Sequence, residues 1–383
     1  MTVDASGIGR EMRAWIDARV LAHANAWEEA QALPPEILDE FAAEGWFGAG
    51  LPGEVGGLEL DSAALCRFCA EMARGSVSLL SLFTVHNMAA QAILRWGAPE
   101  QREAWLARLA SGRVRAAFAL TEPGFGSDAA GIQCQVRRQG NGLILSGAKK
   151  WISGSVHAHL FLVMARLGEE GVVALLVPSD TPGLTITPMK DLLGFRAAGI
   201  ARLDFAECVL PAASLLGPVG GGFTFVASHA LDHGRFTVGC GCVGVLEACL
   251  EASVLYAKER TQFGQPLRKH QLVQEMIANM ATDLEAARAL VLHAGRERDA
   301  MSPDSIMLIT TAKYFCSRAA LRAASDAVQI HGGNGCSPDY PLMRYYRDAK
   351  ICEIIEGSSQ MQQLMISNHA FMRHRAPRRK RHE

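Results

Sequence analysis

The spacing of apolar residues changes twice along the chain, and this change limits the fold more than any other feature. Over residues 1–115 apolar side chains such as Ile16 and Val20 recur every three or four positions, which predicts amphipathic helices. Over 116–220 they form short runs separated by Gly, Pro and Asn, which predicts strands without long intervening helices. Helical spacing returns over 221–383. The order predicts an α+β protein with an N-terminal helical domain, a middle antiparallel β-barrel domain and a C-terminal helical bundle.

Local signals indicate where the C-terminal helices lie. We expect one helix over 223–249 and beyond, a second from Gln271 and a third over 306–328. Ser359, followed by Gln362 three positions later, has the pattern of a capping box, so a further helix is expected to begin there.

Composition and charge exclude several classes of protein. The 383 residues carry a net charge of −1, which gives no general attraction to nucleic acid. We find no apolar stretch of about 18 residues and no signal-peptide pattern, so a cytoplasmic protein without a membrane segment is expected. The basic segment 373–382 is either a solvated chain end or an arm that binds nucleic acid or a partner.

Two other patterns have ordinary structural explanations. The ten cysteines show no paired framework, which suits a reducing compartment. Neither Cys66-x-x-Cys69 nor Cys240-x-Cys242 has a second ligand pair at zinc-site spacing, so we interpret these residues as core packing and expect no metal. The glycine-rich loop 50–57 lacks the GK[ST] ending of a phosphate-binding loop.

A carboxylate near the C-terminus stands on a turn. Glu356 follows the mostly apolar segment 351–355 and precedes a glycine, two serines and the expected helix. Burial at such a position would raise its pKa and suit it to general-base catalysis. From these residues alone, a solvated turn carboxylate that favours the helix N-terminus is the alternative.

Two motifs at strand ends carry groups suited to a ring edge or to phosphate oxygens. In TEPGFGSD (121–128) the backbone N–H groups of a glycine turn accompany the hydroxyls of Thr121 and Ser127. In KKWISG (149–154) a tryptophan precedes a serine, and such a pair can pack on a flavin and hydrogen-bond its N5. An ordinary strand end with a buried tryptophan is the alternative for the second motif.

The phrase YRDAKICEIIEGSSQMQ resembles the C-terminal signature of the acyl-CoA dehydrogenase family, and the resemblance extends over nearly the whole chain. It implies that Glu356 removes the α-proton of an acyl thioester while the β-hydrogen passes as hydride to N5 of FAD. Some members place the base at the position matched here by Gly234. Glycine cannot act as a base, so Glu356 is the matching residue.

The resemblance also assigns residues to the cofactor and the substrate. Those implied to bind FAD within the motifs are Phe118, Leu120, Thr121, Gly126, Ser127, Trp151, Ile152, Ser153, Ser358 and Gln360. Those implied to reach the FAD of a neighbouring subunit are Arg260, Phe263, Gln271, Gln329, Ile330, Gly332 and Gly333. The substrate contacts are Ser127, Asp232, Arg235 and Gly357. A shared cofactor site implies a homo-oligomer, dimer or tetramer. Arg260 alone also fits a helix end closed by Gly264, and Arg235 fits equally an exposed helical arginine.

Three longer phrases, at 81–97, 230–241 and 325–363, resemble a subgroup found with polyketide and nonribosomal peptide pathways. Its members oxidise small acyl groups on an acyl carrier protein, including precursors of hydroxymalonyl or methoxymalonyl extender units. We therefore expect a small acyl thioester of CoA or of a carrier protein, with another protein or oxygen as electron acceptor. The alternatives are a flavin oxidase or monooxygenase, marked by rapid reaction with oxygen, and a non-catalytic flavoprotein of the same fold.

Overall fold

The computed structural model describes residues 5–374, and the basic segment at the C-terminus lies almost wholly outside them. The N-terminal part is helical: α1 (Ala5–Arg19), α2 (Ala24–Ala30), α3 (Pro35–Ala43), α4 (Ser62–Gly75), α5 (Val77–Trp96) and α6 (Pro99–Ala110). Side-chain caps fix two of the starts, because Asp61 accepts a hydrogen bond from the Ala64 N–H and Ser76 accepts one from the Leu79 N–H. The boundaries of the three domains near residues 115 and 220 stay predictions.

The middle part is one eight-stranded sheet. Its strands are β1 (Ala116–Ala119), β2 (Gln135–Gln139), β3 (Gly142–Ile152), β4 (Leu160–Arg166), β5 (Val172–Pro178), β6 (Leu184–Pro188), β7 (Ala201–Pro211) and β8 (Leu215–Leu216). Most neighbours run antiparallel, as expected, but β1 and β2 both pair with β4 in parallel. The chain that returns from β1 to β4 contains β2 and β3, which gives the length that a parallel pairing requires. The predicted β domain is therefore present, with a mixed rather than a purely antiparallel sheet.

The C-terminal part is again helical. It contains α7 (Ser228–Glu259), a hairpin of β9 (Thr261–Gln262) and β10 (Gln265–Pro266), α8 (Gln271–Asp299), α9 (Ser305–His331), α10 (Leu342–Cys352) and α11 (Ser359–Arg373). Helix α7 runs through the centre and packs on α4, α5, α8 and α9. Its approach to α4 requires Gly244, because a Cβ atom there would lie 1.8 Å from the carbonyl oxygen of Ala70.

Two details of the helix starts differ from the prediction. The segment Gly222–Ala227 forms a π-helical turn ahead of α7 instead of the first turn of an α-helix. The N-cap of α11 is Ser358, one residue before the expected Ser359, and its side chain accepts a hydrogen bond from the Met361 N–H. Gln362 does not complete a capping box with Ser359, because its amide donates to the carbonyl oxygen of Gly357.

Among the described residues 5–374, two helices are long and apolar enough to span a membrane, Val77–Trp96 and the continuous helix Gly222–Glu259, although no such stretch was expected. Small and polar residues, such as Ser81 and Thr84, interrupt the apolar residues, so the sequence shows no continuous apolar stretch. Most of each apolar window, 89% and 67%, is buried inside the fold. A core helix of a soluble protein has the same character, so the finding is weak evidence for a membrane span.

The cysteine pairs that the sequence presents separately meet in the core. Cys66 and Cys69 of α4 lie beside Cys240 of α7, and all three are buried free thiols. Burial raises the pKa of the Cys69 and Cys240 thiols well above the ordinary value. Neutral buried thiols act as small apolar side chains, which agrees with the packing interpretation.

Candidate active site

One cavity of about 1110 Å³ lies where the three parts of the chain meet. Its wall combines α5, the loop after β1, the end of β3, the start of α7 and the segment before α11. The residues from the sequence motifs that line it are Phe118, Leu120, Thr121, Gly126, Ser127, Trp151, Ile152, Ser153, Asp232, Arg235, Glu356, Gly357 and Ser358. Motifs separated by more than 200 positions in the chain therefore share one cavity.

The loop that follows β1 is held by a buried ion pair. Glu122 accepts hydrogen bonds from the Cys134 N–H and the Gln133 N–H, and from the Lys149 ammonium at 2.8 Å. Lys149 also donates to the carbonyl oxygen of Leu120 at 2.8 Å, and its side chain has no exposed surface. The pair fixes the loop to β3, so the cavity wall at this end is rigid.

The same loop presents open backbone to the cavity. A Cβ atom on Gly124 or Gly126 would meet no other heavy atom within 4 Å, so there is free space beside the backbone at both positions. The hydroxyls of Thr121 and Ser127 stand beside them in the wall. Such a surface suits an electron-rich ring edge or phosphate oxygens.

Strand β3 ends in an irregular turn that aims an aromatic ring. Trp151 has φ = 65°, a left-handed conformation that is unusual for a bulky residue, and 49% of it is exposed. The Lys150 ammonium lies 4.6 Å from the ring centroid, and the Lys150 N–H donates to the carbonyl oxygen of Thr121. Strain of this kind is typical of functional sites, and here it leaves an indole face at the cavity beside Ser153.

The segment that carries Glu356 is a turn with two consecutive left-handed residues, Glu356 at φ = 54° and Gly357 at φ = 94°. The carbonyl oxygen of Glu356 accepts a hydrogen bond from Arg235 Nε at 3.0 Å. The carbonyl oxygen of Gly357 accepts bonds from Lys313 Nζ at 3.0 Å and from Gln362 Nε2 at 2.9 Å. Three side chains from three helices therefore fix this turn.

The carboxyl group of Glu356 has the environment of a general base. Its Oε2 atom is buried and has no hydrogen-bond partner. Burial raises the pKa of Glu356 to about 7, while the positive charges of Arg235 and Lys313 act in the opposite direction. A carboxylate with a pKa near neutrality is suited to accepting a proton from carbon. The environment of Glu356 therefore does not match the alternative of a solvated turn carboxylate.

Helix α7 leaves room for this carboxylate. A Cβ atom on residue 234 would lie 2.7 Å from Glu356 Oε2 and 2.8 Å from the sulfur of Met88. Gly234 therefore creates the space in which the carboxyl group of Glu356 lies. The same contacts show why a base at position 234 and one at position 356 would compete for one volume.

Asp232 and Arg235 flank Gly234 on the cavity side of α7. Burial raises the pKa of Asp232, and its Oδ1 atom has no hydrogen-bond partner. Arg235 is half-buried and holds the Glu356 carbonyl, so of its two expected roles the geometry favours orientation of the active-site turn.

The sequence prediction missed several residues of the cavity wall. In helix α5, Leu80, Ser81 and Thr84 line the cavity, and Thr84 Oγ1 lies 3.0 Å from Thr237 Oγ1 of α7. The π-helical turn ahead of α7 adds an aromatic contact, because Phe225 packs against the Trp96 ring at a centroid distance of 5.3 Å. Ser81 and Thr84 fall within the phrase at 81–97, but nothing in it marked them as wall residues, and only helical periodicity on a buried face could have suggested them.

A second set of predicted residues lies away from this cavity. It comprises Arg260, Phe263, Gln271, Gln329, Ile330, Gly332, Gly333 and Gln360. The first seven gather at one end of the C-terminal bundle, where Tyr256 stacks on His331 at 4.0 Å. Phe263 is 95% exposed. A single subunit does not bring this set to the flavin motifs.

The cavity has the features that a flavin requires. Open glycine backbone, three hydroxyl side chains and an indole face line its end next to β1 and β3. An unpartnered carboxylate lies in the wall of the same cavity. The residues present therefore fit a flavin cofactor.

Comparison with known proteins agrees with this geometry over most of the chain. Family models match at residues 3–113 (acyl-CoA dehydrogenase, N-terminal domain), 117–208 (middle domain) and 220–371 (C-terminal domain). The mitochondrial isobutyryl-CoA dehydrogenase of Dictyostelium discoideum is 36% identical over 348 residues, which are 90% of this chain and 83% of the relative.

Solved structures are similar along nearly their whole length. A glutaryl-CoA dehydrogenase from Mycobacterium smegmatis in complex with FADH2 has a TM-score of 0.92 at 31% identity, over 99% of this chain and 97% of that one. FkbI, described for biosynthesis of the methoxymalonyl extender unit of the polyketide FK520, has a TM-score of 0.88 at 32% identity, over 94% and 99%. The prolyl acyl carrier protein oxidase AnaB has a TM-score of 0.91 at 25% identity, over 97% and 99%. The chain therefore belongs to the acyl-CoA dehydrogenase family of FAD-dependent oxidoreductases.

Proposed function

We propose that this enzyme oxidises a small acyl thioester, carried by CoA or by an acyl carrier protein, with Glu356 as the base. The observation that carries the proposal is the shared cavity, in which an unpartnered and buried Oε2 of Glu356 occurs together with the loop after β1 and with Trp151. Asp232 of α7 also has a buried, unpartnered oxygen in this cavity, but Glu356 lies in the turn whose carbonyl oxygens Arg235 and Lys313 hold.

In the proposed reaction the carboxylate and the backbone N–H of Glu356 act on the substrate, and Arg235 orients them. Bound FAD supplies the hydride acceptor. Ionised Glu356 takes the proton from the carbon next to the thioester carbonyl, and its pKa of about 7 makes it an effective base near neutral pH. The backbone N–H of Glu356 is the donor that we assign to the thioester carbonyl, as in an oxyanion hole. Arg235 keeps this N–H and the carboxyl group oriented through the Glu356 carbonyl.

The polar wall of helix α5 supports a small, hydroxylated acyl group. The Thr237 hydroxyl donates a hydrogen bond to the Gly234 carbonyl oxygen of its own helix at 3.1 Å. Because its proton is used there, the Thr237 oxygen accepts the hydrogen bond from the Thr84 hydroxyl of α5. The Thr84 oxygen is then left as an acceptor, and Ser81 adds a second hydroxyl. Leu80 adds an apolar side chain to the same wall. Similarity to FkbI supports the same choice.

The test is anaerobic flavin bleaching against a panel of thioesters. The panel pairs butyryl with hydroxybutyryl groups and propionyl with glyceryl groups, each on CoA and on a phosphopantetheinylated carrier protein. It also includes a long unbranched acyl-CoA. We expect the short hydroxylated acyl groups to give the fastest loss of flavin absorbance. Fast bleaching by long unbranched acyl-CoA alone would contradict the proposed substrate class, and no bleaching by any thioester would contradict the reaction.

We further propose that the active enzyme is a homo-oligomer in which the second residue set completes a neighbour's site. A guanidinium suits the pyrophosphate of FAD, and large apolar residues beside Arg260 are exposed, with Phe263 at 95% and Leu272 at 75%. Exposed apolar residues that cluster in this way are typical of protein interfaces.

Arg260→Ala should therefore weaken FAD retention by about tenfold or more, because a charge-assisted contact is lost. The measurement is FAD content per chain after gel filtration with light scattering. Arg102→Ala, which removes an exposed arginine of α6, is the control and should retain FAD. A monomer that is saturated with FAD would show that no neighbouring subunit is needed.

A flavin oxidase is the second candidate, and the similarity to AnaB, an oxidase by name, favours it. The two functions differ in how the reduced enzyme reacts with oxygen. Mixing the substrate-reduced enzyme with air-saturated buffer in a stopped-flow instrument distinguishes them. Reoxidation faster than turnover indicates the oxidase, and slow reoxidation indicates a dehydrogenase with a protein electron acceptor.

A further inference from the structure

Lys313 of helix α9 is a buried cation whose presence the reaction described so far does not explain. Its side chain is buried, and its ammonium donates a hydrogen bond to the Gly357 carbonyl oxygen at 3.0 Å. Unlike Lys149, it forms no ion pair with a carboxylate of the described residues. Burial lowers the pKa of Lys313 to about 8. An unpaired buried charge is unfavourable for folding, so such a residue is expected to serve function.

The atom that Lys313 holds belongs to the active-site turn. Glu356 and Gly357 are both left-handed, and for glutamate this conformation is strained. Their two carbonyl oxygens are each held by a cation, Arg235 of α7 on the first and Lys313 of α9 on the second. Gln362 of α11 adds a neutral donor to the second.

The charges around Glu356 come from two helices. Helix α7 contributes the positive charge of Arg235 and the buried carboxyl group of Asp232, and helix α9 contributes Lys313. The buried thiols of Cys242 and Cys352 also lie near the Lys313 ammonium. Lys313 is therefore one of two positive charges that oppose protonation of the base.

We propose that Lys313 is a positioning residue for Glu356, which holds the strained turn through the Gly357 carbonyl and keeps the base ionised near neutral pH. The proposal rests on the assignment of Glu356 as the base. Lys313 reaches no cavity wall itself, so it acts through the turn rather than on the substrate.

The direct test measures the protonation of Glu356 without a substrate. In the FAD-loaded enzyme, the infrared C=O band of the protonated carboxyl group is titrated with pH and assigned by subtracting the Glu356→Gln spectrum. Removal of a nearby positive charge raises a carboxyl pKa, so Lys313→Met should shift the midpoint upward by about half a pH unit or more. Lys313→Arg, which keeps the cation, should return the midpoint towards that of the wild type.

A matched control separates this effect from a general change in charge. Lys350→Met makes the same substitution at an exposed lysine whose side chain pairs with Glu353, and it should leave the midpoint unchanged. Methionine fills a volume similar to that of lysine and removes a buried charge, so Lys313→Met should melt at or above the wild-type temperature. Its rate of anaerobic flavin reduction at pH 7 should nevertheless fall by about twofold or more, because less of the base is ionised.

The outcomes separate this inference from the proposed function. An unshifted midpoint in Lys313→Met overturns the inference, and a large loss of melting temperature with an unshifted midpoint assigns Lys313 a structural role instead. If Glu356→Gln reduces its flavin at the wild-type rate, the base assignment fails first and the inference fails with it. If Glu356→Gln is inactive while Lys313→Met behaves as the wild type, the inference alone fails.

Discussion

Glu356→Gln should lower the rate of anaerobic flavin reduction by roughly a hundredfold or more, the usual contribution of a general base. Glutamine keeps the size of the side chain but has no basic oxygen. FAD content should not change, because the carbonyl of residue 356 remains available to Arg235 and the flavin loop is untouched. The measurement is stopped-flow absorbance with the thioester that bleaches the wild-type flavin fastest.

The pH dependence gives a second, independent check on the same residue. Only the ionised carboxylate accepts a proton, so the wild-type rate should rise as the pH increases through about 7, the pKa to which burial raises Glu356. The residual rate of Glu356→Gln should show no such rise. Glu353→Gln, an identical change at a residue paired only with exposed Lys350, should stay within about twofold of the wild type. Flavin reduction at a near-normal rate in Glu356→Gln would show that another group takes the proton.

Much of the fold follows from local patterns. Apolar runs predicted β1, β4 and β5 because these strands are buried on both faces. Strand β2, with the sequence QVRRQ, was missed because it is mostly exposed and polar, and its pairing with β3 and β4 makes it a strand. The parallel pairing of β1 with β4 depends on contacts distant in sequence, which periodicity does not report.

The residues of the candidate site also differ in how well the sequence predicts them. Motif residues such as Glu356 and Trp151 stand in recognisable phrases, and the fold places them in one cavity as expected. Lys149 and Lys313 gave no signal, because a lysine in a sequence is most simply interpreted as a solvated charge. Their burial is decided by partners in other elements, Glu122 for one and the Gly357 carbonyl for the other. Such partners become visible only when the chain is folded.

The buried pair of Glu122 and Lys149 leads to the second large effect. Their side chains are 5% and 0% exposed, and the nearest alternative partner of the Lys149 ammonium is a single carbonyl, that of Leu120. Glu122→Ala would leave a buried ammonium without its counter-charge and would free the N–H groups of Gln133 and Cys134. Loss of one partner of a buried ion pair costs about 3–5 kcal/mol of folding free energy.

We therefore expect Glu122→Ala to lower the free energy of unfolding in urea by about 3–5 kcal/mol. It should also release FAD on ultrafiltration, because the loop over 120–134 loses its anchor to β3. The control, Glu170→Ala, breaks the exposed pair with Arg138 and should change the free energy of unfolding far less than Glu122→Ala does.

The double variant Glu122→Ala/Lys149→Met shows whether the stability lost in Glu122→Ala is due to the lost contact or to the unpaired charge that stays buried. Without the ammonium, nothing charged remains buried at this position, so the double variant should be more stable than Glu122→Ala. The double variant should bind FAD more weakly than the wild type, as Glu122→Ala does, because the N–H groups of Gln133 and Cys134 lack an acceptor in both variants. If Glu122→Ala costs less than about 1 kcal/mol and retains FAD, the pair does not anchor the loop. The rigidity of that wall would then have to come from the backbone bond between Lys150 and Thr121.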